Sequence, residues 1–248
     1  MSQALQAPQA ATRQEPAAAW PGLRDGLRAE WTKLRTAPGT LWLLLAVIVL
    51  TVALGTAAAA AAKCPAAGCG QDPAKISLTG VDVGQAVVAV IAVLTVSGEY
   101  STGMIRTTLA AIPGRLTVLG AKAAIVTGLV LAAGTVAVLG SLLAGRLILP
   151  GHGFTAAHGF AQLSLGDGPV LRAAAGSVLY LALIGLLSLG IATAVREAAV
   201  AIGLVLGLLY LAYIIAAAVT NQSVHRHLLQ AAPMMAGLDI WWPRPSRR

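Results

Sequence analysis

The sequence predicts an all-α fold: a polytopic transmembrane bundle of about five spans, preceded by an N-terminal amphipathic helix lying in the membrane interface. Three observations carry this. Of 248 residues, 57% are hydrophobic and 10% charged, whereas a soluble domain carries about 25% charged residues to solvate its surface. The apolar residues gather into runs of bilayer length. Short polar or Pro-Gly breaks separate those runs.

Residues 1–19 are Ala, Gln and Pro without periodicity and read as a disordered tail. From residue 20 the pattern changes. At 100° per residue Trp20, Leu23, Leu27, Trp31 and Leu34 share an arc of about 80°. Arg24, Arg28, Lys33 and Arg35 lie beside or behind it, so 20–36 suits an interfacial helix. A helix packed on a soluble partner is the alternative. The first span is expected at 41–62, too long and too far from the N-terminus for a cleaved signal peptide.

A polar loop holds Cys64, Cys69, Asp72 and Lys75. The second span, 81–98, is short and stops at Glu99. Residues 99–117 read as a short amphipathic helix ended by Pro113-Gly114. The third span, 118–149, has Lys122 in its first turns, where the stem can snorkel to the interface. Spans at 171–195 and 198–219 are joined by a tight hairpin at Arg196-Glu197. Residues 220–248 lack a run of about 20 apolar residues and are expected not to span.

The net charge of +8 and isoelectric point near 10.2 come from basic residues scattered through short loops. Topology accounts for them better than a nucleic-acid footprint, and no nucleic-acid partner is expected. The basic residues near span ends favour an N-terminus inside the cell, with the chain in the plasma membrane. Cys64 and Cys69 then face an oxidising compartment; their spacing leaves open a disulfide or two free thiols. One cysteine pair gives too few ligands for a metal site.

A search for catalytic groupings finds little. No G-x-x-x-x-G-K-[ST] loop is present to cradle ATP, and no H-E-x-x-H or paired intramembrane carboxylates appear. His225-Arg226-His227 reads as a solvated turn, and Gly203-xxx-Gly207 as a close-packing motif used within the bundle. Glu99, at a span end, must be paired or solvated. Arg106 and Arg115 are its candidate partners. The segment from Glu99 to Arg115 reads equally as a force-transmitting elbow or as a solvated connector.

Arg28-Ala29-Glu30-Trp31-Thr32-Lys33-Leu34-Arg35-Thr36, with Trp42 opening the first span, resembles the N-terminus of actinobacterial ABC-2 type transporter permeases. The block Gly98-Glu99-Tyr100-Ser101-Thr102-Gly103-Met104-Ile105-Arg106, continuing through Pro113-Gly114-Arg115 to Ala121-Lys122-Ala123, is similar to that family's most recognisable stretch. Val195-Arg196 and Pro233…Ala236-Gly237 also sit where the family has comparable residues, so the resemblance runs from about residue 23 to 238.

The resemblance implies a permease subunit of an ATP-binding cassette exporter for a hydrophobic or amphipathic substrate. It implies a second permease subunit, homo- or heterodimeric, and a separate cytoplasmic ATPase subunit that holds the ATP and Mg. The chain itself would be no enzyme and would bind no cofactor. Glu99, Tyr100, Thr102, Arg106, Pro113 and Arg115 would form the coupling element against the ATPase; Trp20, Leu27, Glu30, Trp31 and Lys33 would belong to the interfacial helix. The family has six spans, and the sixth is missing here, so the chain is expected to be truncated relative to its relatives. A non-transporting membrane subunit, regulatory or for assembly, is the alternative.

Overall fold

The computed structural model describes residues 27–28, 31–32, 38–64, 72–103, 115–155, 163–164 and 166–218. All regular structure among these is helical. Helices α1 (Pro38–Ala61), α2 (Pro73–Leu78), α3 (Val81–Ser101), α4 (Arg115–Ile148), α5 (Gly168–Val195) and α6 (Ala198–Ala218) follow one another, with a 3-10 turn at Leu149–His152. In hydrocarbon no water can satisfy a backbone amide, so an apolar segment must close its hydrogen bonds within itself, as a helix does.

Four stretches are long and apolar enough to cross a membrane: Gly39–Ala61, Pro73–Tyr100, Leu116–His152 and Gly168–Val195. They give the chain multi-pass membrane character. Helix α6 is apolar over Ala198–Leu211. At 1.5 Å per residue, the 34 residues of α4 reach about 51 Å, well beyond a hydrocarbon core of about 30 Å, so α4 tilts or projects.

Helices α1, α4, α5 and α3 pack in a ring, each on its two neighbours, and α6 lies in the groove between α3 and α5. Of the four spans, α3 is the most enclosed and α1 the least. Trp42, Leu116 and Leu147 are more than two-thirds exposed. Leu, Ile and Val side chains stand outward on every long helix, as on a lipid-facing surface.

The tightest packing involves small residues. A Cβ placed on Gly80 would overlap the Thr51 carbonyl oxygen, and one on Gly84 the Thr51 hydroxyl. One on Gly55 would overlap the Ser77 carbonyl oxygen, and one on Gly145 the Ser77 hydroxyl. Ser141 of α4 donates to the Thr51 carbonyl at 3.3 Å. The Gly80-xxx-Gly84 pair therefore lets α1 approach the α2–α3 corner backbone to backbone. The other pair behaves differently: neither Gly203 nor Gly207 has a neighbour within 4 Å of an added Cβ. The expectation that Gly203-xxx-Gly207 packs inside this bundle is corrected, because α6 turns that stripe away from α3 and α5.

At one end of the bundle α1 and α4 meet. The Cys64 amide donates to the His152 carbonyl at 3.0 Å, and Ala59, Leu149 and Phe154 form a small apolar cluster beneath. Cys64 is disulfide-bonded; Cys69, the chain's other cysteine, lies outside the described residues. Asp72 caps α2, accepting from the Ala74 amide at 2.9 Å, with Pro73 in the first turn.

In the N-terminal segment Leu27, Arg28, Trp31 and Thr32 are helical. Thr32 donates its hydroxyl to the Arg28 carbonyl at 2.9 Å, and Trp31 is about half exposed. Trp20, Glu30 and Lys33 lie outside the described residues, as do the expected tails 1–19 and 220–248.

The two glycine pairs separate in stability. Gly80→Ala forces backbone apart and is expected to cost about 1–3 kcal/mol or more, whereas Gly203→Ala should stay within about 0.5 kcal/mol of wild type. Thermal unfolding of the two variants in detergent, followed by circular dichroism, measures the difference.

Candidate functional site

Helices α3 and α4 are joined by residues 102–114, and this end of the bundle carries Glu99, Lys122, Arg196 and Glu197. Helix α3 does not stop at Glu99. It runs through Ser101, and Thr102 caps it, returning its amide and hydroxyl to the Gly98 carbonyl, the hydroxyl at 2.7 Å. Gly103 follows at φ +70°, a left-handed turn that only glycine adopts without strain. The expectation of a separate helix beginning at Glu99 is thereby corrected: Glu99 and Tyr100 belong to the last turn of α3.

Glu99 is met by Lys122. Lys122 Nζ lies 2.9 Å from Glu99 Oε1, and the two side chains are 5% and 6% exposed. Lys122 sits two turns into α4, so pairing bends its stem inward to α3 rather than outward to lipid headgroups. The expected snorkelling is corrected, and Lys122 joins as a partner that the sequence reading did not consider. Arg106 and Pro113 lie outside the described residues; Arg115 is the first residue of α4.

A second tie joins α3 to the α5–α6 corner. Arg196 ends α5 in the left-handed region, φ 62°, its amide donating to the Ala192 carbonyl at 2.8 Å. That backbone reverses the chain in two residues and sets the guanidinium 5.8 Å from the centre of the Tyr100 ring, within reach of a cation–π contact. Glu197 then caps α6, its carboxylate accepting from the Ala199 amide at 3.1 Å and the Val200 amide at 2.6 Å. A negative side chain here also suits the positive end of the helix dipole.

These ties matter because α3 and α4 stand across the ring from each other and touch little along their length. The ion pair holds their ends together, while Tyr100 and Arg196 bring in α5 and α6. Displacing the 104–114 segment therefore moves two span ends together. Chemically the cluster can anchor and transmit; among the described residues it contains no nucleophile–base pair, and no group of three or more metal-ligating side chains occurs.

Sequence reasoning missed Lys122 as a partner, and it missed Arg196 and Glu197 as a cation–π donor and a cap. A usable signal existed for the first. Two opposite charges near the ends of successive spans have every reason to meet, because each is costly alone.

No family model matches the chain, and comparison with curated proteins and with solved structures finds no match.

Neutralising either partner breaks the buried pair, at a cost of about 3–5 kcal/mol. Glu99→Gln and Lys122→Met should each lower the thermal midpoint sharply. The double variant should lie closer to wild type than the sum of the two, because no lone charge remains. Thermal unfolding of the four proteins in one detergent measures this.

Proposed function

We propose that the chain is the membrane-spanning permease subunit of an ATP-driven exporter, moving a hydrophobic or amphipathic substrate with energy from a separate ATPase subunit. The observation that carries this reading is the Glu99–Lys122 pair. It fastens together the two spans that flank 104–114, within the block 98–123 that carries the most recognisable resemblance to ABC-2 permeases. A push on that segment from a nucleotide-hydrolysing partner would reach α3 and α4 as one unit. Through Tyr100 and Arg196 it would reach α5 and α6 as well.

In this reading α6 is the fifth span, the N-terminus and the Glu99 end face the cytoplasm, and the Cys64 end faces outside. The disulfide at Cys64 supports that orientation, since such bonds persist in oxidising compartments. The outward apolar side chains on all long helices leave room for a second permease subunit as well as lipid. Alternating access would come from two bundles rocking about a shared interface.

Co-purification with a cytoplasmic ATPase tests the proposal. The complex should hydrolyse ATP faster than the ATPase alone. Arg115→Ala should cut that stimulation about 10- to 150-fold, the effect of losing one charged contact worth roughly 1.5–3 kcal/mol, while membrane insertion is unchanged. A chain that binds no ATPase, or an Arg115→Ala complex stimulated like wild type, would contradict it.

A further inference from the structure

The apolar course of α3 holds an acid near its other end. Asp82 lies 17 positions before Glu99, about 25 Å away along the helix, and on the side turned towards α5 and α6. Three polar side chains converge on this place. Gln85, fully buried, donates its Nε2 to the Asp82 carbonyl at 3.0 Å. Tyr210 of α6 donates its hydroxyl to the same carbonyl. Tyr180 of α5, itself buried, donates its hydroxyl to Gln85 Oε1.

Counting donors and acceptors shows what the Asp82 carboxyl requires. Both phenolic protons and one amide proton are committed to backbone and amide oxygens, so none of these reaches the carboxyl. Asp82 Oδ1 is buried and accepts no hydrogen bond among the described residues. The phenol oxygens of Tyr180 and Tyr210, in contrast, keep lone pairs after donating. A carboxylate at Asp82 leaves Oδ1 without a donor among the described residues, whereas phenol oxygens such as those of Tyr180 and Tyr210 can accept from an acid O–H. Asp82 is partly buried, and a carboxylate oxygen enclosed without a donor is costly in a way that uptake of a proton relieves.

We propose that Asp82 is a proton-binding site inside the membrane-spanning bundle, built by α3, α5 and α6. The titratable groups around it are few. Lys75 of α2 acts on it from a distance, and Tyr180 and Tyr210 face it from α5 and α6. Helix α1 has no titratable residue along its length. On α4, Lys122 is engaged with Glu99, and Arg146 is exposed. Because Gln85 and Tyr210 grip the Asp82 backbone, gain or loss of the proton bears directly on how α6 seats against α3. This inference stands apart from the exporter reading, since it concerns the opposite end of α3 and needs no ATPase.

Infrared spectroscopy of the purified full chain in lipid nanodiscs tests it. At neutral pH wild type should show a carboxylic-acid C=O stretch that is lost in Asp82→Asn and indifferent to replacing sodium by choline. Tyr210→Phe, which removes the hydroxyl that grips the Asp82 carbonyl but keeps the acid, should retain the band and shift its frequency. This second variant keeps the test decisive should Asp82→Asn fail to insert. Absence of the band, its survival in Asp82→Asn, an unshifted band in Tyr210→Phe, or its disappearance on adding sodium, which would mark a metal-cation site, would each overturn the proposal.

Discussion

A charge held among apolar helices must be met by its opposite, and in this bundle the meeting of Glu99 with Lys122 governs how α3 and α4 stand to each other. The two helices share little surface, so dispersion and burial alone would leave their relative position loosely set. An ion pair at 2.9 Å, nearly closed to solvent, tolerates little sliding, because separating two buried charges is costly. The pair is better understood as a constraint on geometry than as a source of net stability.

Elsewhere the bundle relies on nearness. Where Gly80 and Gly84 meet Thr51, and Gly55 and Gly145 meet Ser77, helices approach without intervening side chains. In a membrane, helix association gains little from the hydrophobic effect, and such close contact with its accompanying hydrogen bonds carries more of the load. Helix α3 lies at the centre of both arrangements. Its first turn is gripped by Gln85 and Tyr210, its middle is buried, and its last turn carries Glu99 and Tyr100. A displacement at one end is therefore felt along a rigid, enclosed element.

Much of the fold was legible in the sequence, because hydropathy is a local property and a lipid-facing surface leaves charged residues few places to be. The all-α class and the long apolar helices follow from that alone. What remained hidden depends on partners distant in sequence. Lys122 near a span end looks like a snorkelling residue until α3 supplies a buried carboxylate. Gly203-xxx-Gly207 and Gly80-xxx-Gly84 share one spacing, yet only the second is used inside the bundle, since spacing does not say which face meets a neighbour. The extent of α3 was obscured by Glu99, whose charge reads as a span end when it is in fact neutralised within the helix pair. Arg196 in a left-handed cap was equally unreadable, glycine being the usual occupant.

Exchange of the charges tests the central constraint most directly. Glu99→Lys combined with Lys122→Glu preserves both charges and reverses the pair. If the ion pair positions α3 against α4, each single reversal should prevent stable insertion or folding, and the exchanged protein should recover most of the wild-type thermal midpoint. An exchanged protein no more stable than the single reversals, or single reversals indistinguishable from wild type, would contradict the account.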